Sequence, residues 1–147
     1  MLRMLTRPRR AAVLAVPLLL LAACASEETA TVPLDRIVGR WQGADGEALS
    51  FSSDRTFTSS GLDSGKLADS KCPGGPSKGS WGFFTDGDSG TQVSKTTKSG
   101  SWIGLGFERR FWQCGLLLAV VDDGRTLCAT DDPDTPCGLD VRFTRRK

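Results

Sequence analysis

Short runs of alternating apolar and polar side chains recur from Leu34 to the end of the chain. In the run 48–52, Leu49 and Phe51 alternate with serines, and a Thr/Ser-rich run follows over 55–60. A period of two places the apolar side chains on one face of a strand. Because only a short polar turn separates the two runs, we predict that they form a β-hairpin.

The same pattern continues through the rest of the chain, and no long segment keeps the 3.6-residue period of an amphipathic helix. We predict further strands over 79–84, 91–98, 101–107, 111–121, 125–130 and 139–144. The run 111–121 is so apolar that we expect a strand buried on both faces. Eight or nine short strands indicate an all-β domain. We expect a small antiparallel barrel, because closure removes exposed strand edges, with a two-sheet β-sandwich as the alternative.

The N-terminus has a different pattern. It begins with a segment that contains four arginines and no acidic residue, and an apolar run follows over 11–21. A basic start, an apolar stretch of about ten residues and a small-residue exit are typical of a secretory signal peptide. The apolar stretch is too short for a transmembrane helix, which needs about 20 residues.

The residues Leu21-Ala22-Ala23-Cys24 resemble the bacterial lipobox. The resemblance implies cleavage before Cys24 and a lipid on its thiol, so the membrane is the first expected partner. We therefore predict a lipoprotein signal peptide over 1–23, a flexible tether over 24–35 and a single β domain over 36–147. The expected location is the extracytoplasmic side of the cell membrane, with the protein anchored by its lipid.

Within the domain, the sequence of 37–57, with Gly39-Arg40-Trp41 and a Leu-x-Phe-x-x-Asp-x-Thr-Phe hairpin, resembles bacterial lipocalin-like lipoproteins. Gly79-Ser80-Trp81 extends the similarity, which covers residues 36–81. Arg55 stands where the family usually has glycine. The resemblance implies a small barrel in the cell envelope and, more loosely, a ligand-binding role.

Charge and composition narrow the possible functions. The whole chain carries 19 basic and 17 acidic side chains and no histidine. Catalytic triads, Cys-His dyads and His-ligated zinc are therefore excluded. Removal of the signal peptide takes four arginines away and leaves a slightly acidic domain, which does not suit nucleic acid. We expect no catalytic residue, no cofactor, no metal and no nucleic-acid partner.

Four cysteines remain after Cys24, and an even number outside the cytoplasm indicates two disulfides with three possible pairings. Cys128 and Cys137 flank a short loop, so a bridge between them is geometrically easy, which leaves Cys72 to pair with Cys114. A four-thiolate zinc site is the alternative, but zinc ligands usually come in close pairs and these cysteines do not.

The tryptophans are the candidate ligand-binding residues. Trp41, Trp81 and Trp102 each follow a Gly-x pair, and together they could line an apolar pocket. We expect a monomeric, non-catalytic binding module for a small apolar ligand or an envelope component. The alternative is a protein-interaction or hydrolase-inhibitor lipoprotein with a filled core, and a carboxylate-based hydrolase comes third.

Acidic residues are the last candidate site. Five aspartates could gather at one barrel end and bind a cation, although solvated hairpin loops are the interpretation that we favour. They are Asp122, Asp123, Asp131, Asp132 and Asp134.

Overall fold

The computed structural model describes residues 27–87 and 90–147. Its strands are β1 Val32–Pro33, β2 Gly39–Gln42, β3 Ala48–Phe51, β4 Thr56–Ser60, β5 Ser77–Gly87, β6 Gly90–Ser94, β7 Ser99–Gly100, β8 Trp102–Phe107, β9 Leu117–Val121, β10 Thr126–Thr130 and β11 Arg142–Arg145. Helical turns are short: the α-helix α1 Leu34–Ile37 and 3₁₀ turns Gly65–Leu67, Arg109–Phe111 and Asp122–Gly124. No helix in these two ranges is long and apolar enough to cross a membrane.

Eight strands close into an antiparallel barrel in the order β2-β3-β4-β5-β8-β9-β10-β11. β4 pairs with β5, as Thr56 opposite Ser80 shows, and β11 pairs with β2, so the ring has no gap. The ninth strand of this sheet, β6, pairs with β5 outside the ring. The predicted barrel is confirmed, and the two-sheet sandwich is excluded because one closed sheet accounts for the pairing.

The predicted hairpin is β3–β4, with Phe51 opposite Phe57 on the inner face. Its turn contains Arg55 at φ +69°, the left-handed region where glycine is favoured. The guanidinium of Arg55 lies 4.8 Å from the centroid of the Trp81 ring and donates a hydrogen bond to the carbonyl of Thr97. Glycine would adopt this backbone conformation at a lower conformational cost, but it would lack the contacts that the Arg55 side chain makes with Trp81 and Thr97.

The apolar run 111–121 was predicted as one strand, and this prediction is wrong for its first half. Only β9 is a strand, and the chain before it forms a 3₁₀ turn and a loop. The disulfide of Cys114 with Cys72 ties this part of the run to another loop and holds it outside the ring. The second half is buried on both faces, as predicted, with Leu118 and Ala119 fully covered.

One end of the barrel, which we call the helix end, is closed by α1. Ile37 is fully buried, and its carbonyl accepts a hydrogen bond of 2.8 Å from Nε1 of Trp41. Arg145, at the end of β11, donates hydrogen bonds to the carbonyls of Arg36 (3.1 Å) and Val38 (2.6 Å). The β3–β4 turn, the β9–β10 turn and the C-terminal tail lie at the same end, because the strands alternate in direction.

The segment 24–35 was predicted as a flexible tether, but its described part is docked on the barrel. The carboxylate of Glu27 accepts two hydrogen bonds from Arg142, of 3.0 and 2.7 Å, and the amide of Ala30 donates to the carbonyl of Val120 over 2.8 Å. Val32 is buried and belongs to β1, which pairs with β7. The polar composition of the segment suggested a free, solvent-exposed chain, whereas these hydrogen bonds and the ion pair hold the segment against the barrel. The signal peptide, Cys24 and the two residues after it lie outside the described residues.

Candidate functional site

The barrel interior, where sequence placed the ligand, is filled by side chains. Trp41 and Trp81 point into it and are at most 1 % exposed. Trp81 makes edge-on contacts with Phe51 and Phe83, with ring centroids 5.3 and 5.7 Å apart. The indole N–H of Trp81 donates to the carbonyl of Ser52 over 3.1 Å, so both interior tryptophans already have protein partners for their polar atoms.

This burial leaves little space for a ligand. The large inward side chains that are at most 1 % exposed are Trp41, Phe57, Trp81, Phe83, Ile103, Leu118, Leu127 and Phe143. A ligand cavity of roughly 300 Å³ would leave the side chains around it partly exposed. These residues instead form one packed core, as the interiors of eight-stranded barrels commonly do.

Trp102 lies on the other face of the sheet. Its neighbour Ile103 pairs with Phe83 and Leu118, which are both inside, so alternation turns Trp102 outward. There it packs against Ala119 in a small outer cluster. The structure therefore brings Trp41 and Trp81 into one core and separates Trp102 from them.

The end of the barrel opposite α1, which we call the loop end, is built from three long connections. They cover residues 61–76, 108–116 and 131–141. Cys72 is bonded to Cys114, with Cα atoms 4.6 Å apart, and Cys128 to Cys137, with Cα atoms 4.9 Å apart. Both predicted disulfides are confirmed, and they fix all three loops to one another or to the sheet.

Trp112 is the exposed aromatic residue of this end. It follows the 3₁₀ turn Arg109–Phe111, two residues before the bridged Cys114, and is 79 % exposed. It borders a groove of about 550 Å³ whose apolar walls include Leu116 and Leu139. Sequence reasoning missed this residue because it assigned Trp112 to a buried strand. Gly115 and Cys114 in the middle of the run were the available signals of a loop.

Charged side chains of both signs surround this groove. Lys66 and Asp131 line it, and Lys66 forms an ion pair with the carboxylate of Asp140. The hydrogen bond from Lys66, and then its charge, lower the pKa of Asp140 below its usual value. Because both partners are largely exposed, the pair contributes little to stability.

A larger open groove, of about 1090 Å³, crosses the outer wall of β2–β5. Arg40, Ser50, Thr58 and Lys78 stand opposite one another across its floor. These residues share the outward face of their strands, on the other side from Trp41 and the core. The groove is thus the solvated polar face that alternation predicts.

The acidic residues do not gather at one place. Asp122 and Asp123 lie in the β9–β10 turn at the helix end, whereas Asp131, Asp132 and Asp134 lie at the loop end. All five are exposed, and the described residues contain no group of three metal-ligating side chains. The solvated-loop interpretation agrees with this arrangement, and the single cation site is wrong.

The fold and the loop end define a small disulfide-bonded β-barrel with a filled core and one exposed tryptophan on a constrained loop. No protein family, curated protein or solved structure matches the chain.

Proposed function

We propose that the protein is a lipid-anchored, extracytoplasmic, non-catalytic binding module that holds a protein component of the cell envelope, or a secreted hydrolase, on its loop end. The signal-like N-terminus and the lipobox resemblance support the anchor and the compartment. Two disulfides are consistent with an oxidising location. The lipocalin-like role of carrying a small apolar ligand has less support, because the core occupies the barrel interior.

The observation that carries the binding role is the exposure of Trp112. Tryptophan is enriched among the residues that dominate binding energy at protein interfaces, particularly when the loop that presents it is already ordered. Here a disulfide two residues away restricts the loop, and Leu116 and Leu139 provide apolar surface beside the indole. A partner would therefore bury Trp112 with little loss of loop entropy.

Photo-crosslinking tests this surface in cells that produce the full-length protein. A photoreactive amino acid at position 112 is expected to give a discrete adduct with one partner, which mass spectrometry identifies. The same amino acid at position 125, exposed at the helix end, is the matched control. Equal adducts from both positions, or none from 112, would contradict the proposal.

The affinity of the identified complex gives the quantitative test. Trp112→Ala is expected to weaken binding at least about 30-fold, the effect typical of a hot-spot residue. Its free energy of unfolding should change by less than about 0.5 kcal/mol, because the side chain is exposed. An unchanged dissociation constant would show that the partner binds elsewhere.

The anchor has its own prediction. Cys24→Ala is expected to abolish incorporation of labelled fatty acid and either release the protein from membranes or leave an unprocessed precursor. Fractionation and gel mobility measure these outcomes, and Ser26→Ala is the control that keeps the lipobox. If the Cys24 variant is processed and fractionates like the original protein, the lipobox interpretation is wrong.

A further inference from the structure

We infer that the anchored barrel stands on the bilayer with its helix end against anionic lipid headgroups and its loop end directed away from them. This inference rests on the proposed lipid at Cys24. It adds an orientation and a second binding surface, whose partner is the membrane itself.

The path of the N-terminal segment carries the argument. The segment is docked from Glu27 onward by the ion pair with Arg142 and by the hydrogen bond from Ala30 to Val120. Three residue steps separate Cys24 from Glu27, and they span at most about 10 Å. A lipid on Cys24 would therefore hold the surface around Glu27 close to the headgroups.

The surface around Glu27 belongs to the helix end. Arg142, its partner, also lies 3.7 Å from the carboxylate of Asp122, which begins the β9–β10 turn. Arg36 of α1 donates a hydrogen bond of 3.4 Å to the carbonyl of the next residue, Asp123. These contacts connect Glu27, where the N-terminal segment reaches the barrel, with α1. Trp112 lies at the opposite end of the barrel, the loop end.

Basic side chains give this end a surface that suits anionic lipid. Arg36 and Arg145 donate hydrogen bonds to main-chain carbonyls, which fix the guanidinium groups without neutralising their charge. Exposed Arg146 and Lys147 extend the positive surface along the C-terminal tail, which runs beside Arg40 and borders the outer groove. The acidic residues of this end are Glu27, Glu28, Asp35, Asp54, Asp122 and Asp123. Four of them, Glu27, Glu28, Asp122 and Asp123, lie around the point where the chain leaves the barrel, so the basic excess is concentrated at the tail.

The short connection between Cys24 and Glu27 keeps these basic side chains close enough to attract anionic headgroups. Attraction between basic residues and an anionic leaflet decays over a Debye length, about 8 Å at physiological ionic strength. That distance is comparable with the reach of three residues, so the surface around Glu27 stays within the range of the headgroups, and the basic tail lies at the same end of the barrel. A long free tether would let the barrel rotate beyond it.

The test uses the lipidated mature protein, purified from cells that produce the full-length chain, in vesicles of phosphatidylcholine and phosphatidylglycerol that contain a spin-labelled headgroup quencher. A fluorophore is attached at Ser53→Cys, in the exposed β3–β4 turn, or at Ala68→Cys, exposed at the loop end. We expect quenching at position 53 to be at least about threefold stronger, because roughly 17 Å of strand separates the two ends. Equal quenching, or stronger quenching at position 68, would overturn the orientation.

Charge variants separate the electrostatic contact from the anchor. Arg146→Glu with Lys147→Glu is expected to reduce quenching at position 53 at least about twofold, and added salt should act in the same direction. Lys71→Glu with Arg109→Glu makes the same charge change at two exposed positions of the loop end and should leave quenching unchanged. Equal effects of the two pairs would overturn the headgroup contact.

Flotation of the vesicles is measured before quenching. A protein that does not float with them lacks the lipid anchor, and this result would overturn the anchor and the orientation together. A protein that floats but shows no difference between the two labels retains the anchor and contradicts only the orientation.

Discussion

Trp81→Ala is expected to lower the free energy of unfolding by about 3–5 kcal/mol, the usual cost of truncating a buried tryptophan. The side chain is fully buried and makes edge-on contacts with Phe51 and Phe83. Its loss would also leave the Ser52 carbonyl without the indole donor and remove the ring beneath the Arg55 guanidinium. Urea denaturation, followed by circular dichroism, measures the change.

Trp102→Ala is the matched control, because the residue type is the same and the side chain lies in the small outer cluster. We expect it to lose about 1 kcal/mol, since the indole is partly exposed. Similar losses for the two variants would contradict the assignment of opposite faces. A loss below about 1 kcal/mol at Trp81 would contradict the filled core, because a hollow barrel tolerates truncation of a lumen residue.

Removal of the Cys72–Cys114 bridge, by alanine at both positions, is expected to destabilise the protein by about 4 kcal/mol on the chain-entropy model. The bridge closes a loop with a sequence separation of 42 residues, which restricts the unfolded chain strongly. It also connects the β4–β5 loop to the segment that presents Trp112. We therefore expect faster proteolysis around 108–116 as well as a lower denaturation midpoint.

The Cys128–Cys137 bridge provides the comparison, because its sequence separation is only 9. The same model gives about 2.7 kcal/mol for its removal, and the loop around Trp112 should keep its protease resistance. The order of the two losses is the informative result. If removal of the shorter bridge destabilises the protein more, loop entropy does not dominate the effect of the two bridges. That result would contradict the prediction that Cys72–Cys114 is the bridge that stabilises the loop around Trp112.

Much of the barrel could be predicted from local patterns. Alternation in 48–52 and 55–60 predicted β3 and β4, and the run 101–107 predicted β8. These predictions succeed because period two and turn residues are properties of adjacent positions. The disulfide pairing could also be predicted, since the short loop favoured the Cys128–Cys137 bridge and elimination gave the other.

The candidate site was much harder to predict from the sequence. The apolar run 111–121 was predicted as one strand despite Cys114 and Gly115 in its middle, so Trp112 was placed in the core. The first half of the run forms a 3₁₀ turn and a loop that is bonded to the distant Cys72, and Trp112 is exposed there. The docked N-terminal segment was missed for the same reason, because Glu27 and Arg142 are separated by 115 positions.

The sequence by itself indicated an all-β chain, its β3–β4 hairpin, the favoured disulfide pairing and an N-terminus that resembles a lipoprotein signal. Each of these depends on residue type and on spacing along the chain. Only the tertiary structure decided that the tryptophans divide among the core, the outer wall and the exposed loop, and that the segment after Cys24 is docked at the helix end. Those outcomes depend on barrel closure and on contacts between distant residues, which bring together groups that no local pattern relates.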